Sequence, residues 1–149
     1  MKVKIVNKSS FPSPAYATPL SAGMDLRANI TEPITLEPLQ RVLVPTGLYI
    51  ALPEGYECQV RPRSGLAVKH GITVLNSPGT VDADYRGEVH LNLINTSNEW
   101  VTIKTGQKIV QFIHKEYIAS DFEEISVDEY NALEATDRGE GGFSSTGEK

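Results

Sequence analysis

The chain has 149 residues, 14 Lys and Arg against 19 Asp and Glu for a formal charge of −5, 40% hydrophobic residues and a single cysteine. That is enough for one domain with a sizeable core and too little for two, since domains typically run to roughly 100–150 residues. The acid balance argues against a nucleic-acid or anionic-membrane surface as the main partner, because phosphate backbones are gripped by an excess of Lys and Arg. Cys58 alone excludes an intrachain disulfide framework and a multi-thiolate zinc site, so a reducing, cytoplasmic setting is expected. No apolar run approaches the ~20 residues of a membrane span, and the start MKVKIVNKSSF lacks a signal-peptide stretch, which predicts a soluble, unexported protein.

The 12 Gly and 9 Pro are spread along the chain and punctuate short segments that alternate apolar and polar positions. This predicts an all-β domain. Leu48, Ile50 and Leu52 share one face of a first segment; Tyr56, Cys58 and Val60 oppose Glu57 and Gln59 in a second; Val89, Leu91 and Leu93 oppose His90 and Asn92 in a third. Cys58 thus reads as a small buried hydrophobe rather than a nucleophile. One stretch alone reads as helix, where Ser126 to Glu129 form a capping box ahead of Tyr130, Leu133 and Glu134, for two or three turns at most. Residues 137–149 hold four glycines and one aromatic, which cannot build a core, so a domain over 1–135 is followed by a flexible arm over 136–149.

The familiar catalytic motifs are missing: no phosphate-binding P-loop, no G-x-S-x-G elbow and no H-E-x-x-H. His70, His90 and His114 lack metal-ligand spacing and read as surface or satisfied strand residues. Five polar segments nevertheless interrupt the β pattern. Asp25, among small and apolar residues from Ala22 to Ala28, needs a partner, whether as a structural pair with an arginine or in a direct role. Arg61-Pro62-Arg63-Ser64-Gly65 is either a turn with solvated arginines or an anion-binding concavity, since the planar guanidinium fork suits phosphate. Asn76 to Gly87 carries Asp82, Asp84 and Tyr85 between turn residues, as a surface turn or as the seat of a general base; the two carboxylates are weak evidence for a metal site. Strand alternation puts Gln111 on the face of Ile109 and Ile113, where its amide either bridges strands or meets a ligand. Arg138, Phe143, Ser144, Ser145 and Thr146 compose either a disordered tail or a segment that wraps a polyanion, because glycine permits close backbone approach and hydroxyls donate.

Taken together and in this order, the five segments resemble the five motifs of the trimeric dUTP pyrophosphatases, over Ala22 to Gly147. The resemblance implies a jelly-roll-like, distorted β-barrel and a homotrimer. It also implies Mg²⁺-dependent hydrolysis of dUTP to dUMP and diphosphate, which keeps uracil out of DNA and supplies dUMP for thymidylate synthesis. By resemblance Asp82 deprotonates the attacking water, and Tyr85 packs on the deoxyribose and excludes a 2′-hydroxyl. Asn76, Gly79, Val81 and the hairpin backbone between Gly71 and Tyr85 form the uracil pocket. Arg63, Ser64, Gly65 and Gln111 hold the phosphates. Arg138, Phe143, Ser144, Ser145 and Thr146 close over the nucleotide, Phe143 on uracil and Arg138 on the γ-phosphate, and Asp25 supports the hydrogen-bond network. Mg²⁺ is held by phosphates and waters, with no protein ligand.

Two departures stand out. The fourth motif reads G-Q-K-I in place of a Gly-acid-Arg run, so Lys108 is expected to alter a surface contact rather than the chemistry. A regular strand would point Asp82 and Tyr85 to opposite faces, so a turn or bulge between them is required. The family builds each site from three subunits, with the first, second and fourth motifs from one, the third from another and the arm from the last. Two other readings stand behind this one: a dCTP deaminase of the same fold, which needs a Glu-based relay where this chain has D-A-D-Y, and a non-catalytic nucleotide-binding or signalling module.

Overall fold

A computed structural model supplies the fold and describes residues 1–142. Phe143, Ser144, Ser145 and Thr146 lie outside the described residues. The alternating segments become strands β1 (Lys4–Asn7), β2 (Met24–Arg27), β3 (Ile34–Leu36), β4 (Arg41–Pro45), β5 (Leu48–Ala51) and β6 (Tyr56–Pro62). A helix, α1 (Ser64–His70), precedes β7 (Ile72–Val74), β8 (Gly79–Val81), β9 (His90–Asn95), β10 (Val101–Ile103) and β11 (Lys108–Glu116). The ladders are antiparallel and join distant segments, in the orders β2-β11-β6-β8, β4-β9-β7, β1-β5 and β3-β10. Pairing early strands with late ones in this way is the jelly-roll arrangement, and the all-β expectation holds. No helix among the described residues is long and apolar enough to cross a membrane.

The predicted faces are the buried ones. Leu48, Ile50, Leu52, Cys58, Val60, Val89, Leu91 and Leu93 all lie in the core, with Phe112 the largest fully buried side chain; Tyr56 is only half-buried at the strand's start. Burial pushes the Cys58 thiol up to about 12, so thiolate is absent at neutral pH. Folded protein at pH 8 should therefore leave Cys58 unmodified by iodoacetamide, while protein in denaturant takes up one equivalent; intact mass checks this. Rapid labelling of the folded state would show that this part of the core opens.

Two expectations need correction. The barrel carries a helix where a turn was expected: α1 escaped the pattern because it buries no residue and its N-cap, Arg63, makes no side-chain cap bond. What marks it is its end, with Lys69 and His70 in the last turn and Gly71 closing it at φ 65°. His114 is not a satisfied strand residue, since its Nε2 is buried and finds no partner among the described residues. Desolvation lowers its pKa, which keeps the ring neutral.

The chain divides into two compact units, Met1–Ile118 and Ala119–Lys149. In the second, α2 (Val127–Asn131) begins with the predicted capping box: Ser126 accepts from the Glu129 amide at 3.2 Å, and Glu129 accepts from the Ser126 amide at 2.8 Å. That backbone donor holds the Glu129 carboxyl below its ordinary range.

Candidate active site

Four of the singled-out residues meet at one end of the β2-β11-β6 sheet. Register places Gln111 of β11 between Asp25 of β2 and Arg61 of β6. Asp25 takes Arg63 Nε on Oδ1 at 3.1 Å and Lys108 Nζ on Oδ2 at 3.0 Å, so both of its oxygens are occupied by cations. Arg63 in turn donates Nη1 to the Lys108 carbonyl at 2.8 Å. Its guanidinium is thereby fixed at two points, with further N–H donors to offer. The structural-pair reading of Asp25 is realised. Lys108 is the second cation on Asp25, placed there because β2 and β11 run side by side with Lys108 opposite Arg27.

Gln111 bridges strands, donating Nε2 to the Pro62 carbonyl at 3.3 Å. Its strand neighbours differ from simple alternation. A register shift between Lys108 and Val110 turns Ile109 into the core beside Val110, leaving Gln111 half-buried on the other face. Gly23 makes room for this amide, since a Cβ there would fall on Gln111 Oε1 and lie 3.1 Å from its Cδ. Gly23→Ala should displace Gln111 and lower kcat/KM on nucleotide by roughly tenfold, about the worth of one misplaced polar contact. Unchanged kinetics in that variant would show that the Gln111 position is unimportant.

Ser64 and Gly65 open α1 directly after Arg63 and are exposed. Their amides belong to the first turn, which has no partners within the helix, and nothing lies within 4 Å of a Cβ built on Gly65. A ligand's anionic group can approach this backbone closely.

The third segment lies elsewhere on the chain. Asp82 follows β8 and is exposed, making no ion pair among the described residues. The turn required by alternation is present: the Tyr85 amide donates to the Asp82 carbonyl at 3.2 Å, and Arg86 Nη1 clamps the turn through the carbonyls of Ala83 at 2.6 Å and Tyr85 at 3.0 Å. Asp82 and Tyr85 consequently line one cleft of about 200 Å³ with Thr80, Val81, Val89 and His90. The expected hairpin between Gly71 and Tyr85 is corrected. Its two strands do not pair with each other, because β7 joins β9 and β8 joins β6 in different sheets. Asn76 stands exposed in the connection, with its Nδ2 3.1 Å from where a Gly79 Cβ would sit, and Val81 is buried, so only its backbone is offered to a ligand. Arg138 lies in the second unit, where its Nε donates to the Gly141 carbonyl at 2.8 Å.

No hydrogen bond or ion pair among the described residues joins the Asp25 cluster to Asp82 or Tyr85. The β6-β8 register explains the separation. Val60 faces Gly79 and Cys58 faces Val81, so Asp82 continues toward the Glu57 end of β6 while Arg63 follows its other end. Six residues of strand correspond to roughly 20 Å.

Residues 9–147 match the family model for dUTPase. A deoxyuridine 5′-triphosphate nucleotidohydrolase of Finegoldia magna is 55% identical over 147 residues, covering 99% of each chain, and one of Fusobacterium nucleatum is 54% identical, covering 99% of this chain and 97% of that one. Among solved structures, a Staphylococcus bacteriophage 80alpha dUTPase mutant with dUpNHpp shares the fold with a TM-score of 0.83 at 21% identity, covering 98% of each chain. With the family match spanning nearly the whole sequence, this chain belongs to the dUTPase family.

Proposed function

We propose that the chain hydrolyses dUTP to dUMP and diphosphate at sites shared between copies of itself, with Asp82 as the base that orients and deprotonates the attacking water. The observation that carries the shared site is the separation along β6. Arg63 and Asp82 of one chain lie toward opposite ends of β6, roughly 20 Å apart along the backbone, which favours a site that takes them from different chains. A homotrimer resolves this when each site takes Asp25, Arg63, Ser64, Gly65 and Gln111 from one copy and Asn76 to Tyr85 from a second. The arm over 136–149 comes from a third, with Arg138 reaching the γ-phosphate, Phe143 covering uracil, and Ser144, Ser145 and Thr146 donating to the phosphates.

The chemistry asked of each part is modest. Asp82 is exposed beside a turn that holds Tyr85 in the same cleft, which suits a carboxylate that must reach a water next to a bound sugar. Tyr85 against the deoxyribose leaves no room for a 2′-hydroxyl. Backbone groups from Gly71 to Tyr85 and the Asn76 amide read the uracil edge, and a near-isostere that leaves such buried polar groups unpaired is strongly rejected. The Arg63, Lys108 and Asp25 cluster carries two cations against one carboxylate, so it fits a polyanion that brings a divalent ion with it. That ion, Mg²⁺ on phosphate oxygens and waters, supplies neutralisation of charge on the triphosphate.

Diphosphate release from dUTP, dCTP, dTTP and UTP with Mg²⁺, paired with a sizing measurement, tests the reading. The expected result is turnover of dUTP far above the other three by a trimer. Equal rates on all four would overturn the specificity, ammonia release from dCTP would move the chain to deaminase chemistry, and a fully active monomer would overturn the shared site.

A further inference from the structure

The segment after Asp82 holds one feature that neither catalysis nor base recognition uses. Tyr85 is 44% exposed, so packing alone does not fix its ring. Its hydroxyl instead folds back and donates to the Glu88 carbonyl at 2.8 Å. Glu88 is itself secured, since its carboxylate accepts the Gly47 amide at 2.7 Å and its carbonyl also meets His90 Nδ1 at 3.0 Å. The ring must cross directly over residue 87 to make this bond. A Cβ built on Gly87 would collide with the Tyr85 hydroxyl, and it would lie 2.6 Å from Cζ and 3.0 Å from Cε2, so its three nearest atoms are all in that ring. Gly87 lacks the left-handed φ that marks Gly47, Gly55 and Gly71, so backbone conformation does not demand glycine here. Close passage of the ring does.

We propose that Gly87 is a specificity-determining positioning residue: the missing side chain lets the Tyr85 ring lie across the backbone onto the Glu88 carbonyl, which sets the wall that a ribose 2′-hydroxyl meets. The inference rests on the reading of Tyr85 as the sugar-facing aromatic. A methyl at position 87 lifts the ring off its anchor, and a raised ring opens space at the 2′ position. This weakens discrimination between dUTP and UTP, while Asp82, one turn earlier, keeps its exposed place.

The test is a double-variant cycle on the full chain with Gly87→Ala, Tyr85→Ala and the pair, reading kcat/KM for dUTP and for UTP together with the thermal unfolding midpoint. Gly87→Ala should lower the dUTP-to-UTP ratio by roughly tenfold, the scale of one misfitted group in a pocket. The same change made in the Tyr85→Ala background should add nothing, because the atoms it collides with are gone. If Tyr85→Ala lowers the ratio and Gly87→Ala does not, the inference about Gly87 fails while the reading of Tyr85 stands. If Tyr85→Ala itself leaves the ratio unchanged, the reading of Tyr85 fails and takes the inference with it. Additive effects of the two changes would also overturn it. Should Gly87→Ala prevent folding, Tyr85→Ala must restore it; a pair that stays unfolded places the collision elsewhere and overturns the proposal.

Discussion

Asp82→Asn should reduce kcat on dUTP by about 10²–10⁴-fold, the usual contribution of a positioned general base, with little change in KM. Asn preserves the shape and hydrogen-bonding reach of the side chain, so a water can still dock beside it, but the amide has no capacity to take the proton. Two observations separate this from a folding effect. Asp82 is exposed and makes no ion pair among the described residues, so its replacement should shift stability by no more than about 0.5 kcal/mol. The backbone turn that holds Tyr85 uses the Asp82 carbonyl, not its carboxylate, and is untouched by the substitution. Steady-state kinetics with a matched unfolding curve checks both parts. Full activity in Asp82→Asn would remove the base from Asp82, and a joint collapse of stability and KM would make the carboxylate structural.

The strands, the site residues and α1 differ in how far the sequence reveals them. Alternation announced the strands at Leu48, Ile50 and Leu52 and at Val89, Leu91 and Leu93, because a face buried on one side leaves a period of two in the residues themselves. It also demanded the turn between Asp82 and Tyr85, and the Tyr85 amide supplies it. Features made by pairing across distant segments were hidden. Lys108 reads as a departure from a motif until β11 lies beside β2 and brings its ammonium to Asp25. The bulge that turns Ile109 inward is a property of the ladder, so residue types alone could not report it. α1 left little trace because a seven-residue helix that only half-buries Leu66 and Ala67 shows no long apolar stripe. Gly23 and Gly87 are the subtler omissions. Each is defined by a side chain that passes over it, Gln111 from another strand and Tyr85 from two residues back, and an absent Cβ carries no pattern of its own.

Arg63→Ala should lower kcat/KM for dUTP by about 10²–10³-fold, the range seen when one donor to developing negative charge is removed, and Arg63→Lys should recover little of it. The argument rests on how the guanidinium is held. Nε serves Asp25 and Nη1 serves the Lys108 carbonyl, two bonds from one rigid plane, which fix its orientation and leave further N–H donors for a ligand. A lysine at 63 restores the charge but offers a single ammonium, which Asp25 would draw toward itself in competition with Lys108 for the same carboxylate. Stability should report almost nothing of this. The Arg63 and Lys108 side chains are 37% and 42% exposed, and ion pairs so open to solvent contribute about 0–1 kcal/mol. The informative comparison is therefore kcat/KM of the Lys and Ala variants at constant unfolding midpoint, with Asp25→Asn as a third arm. If the fork matters, Asp25→Asn should mimic part of the Arg63→Lys defect by freeing Nε to wander. Recovery of wild-type kcat/KM by Arg63→Lys would mean that charge alone suffices and that the Asp25 and Lys108 cradle serves another purpose.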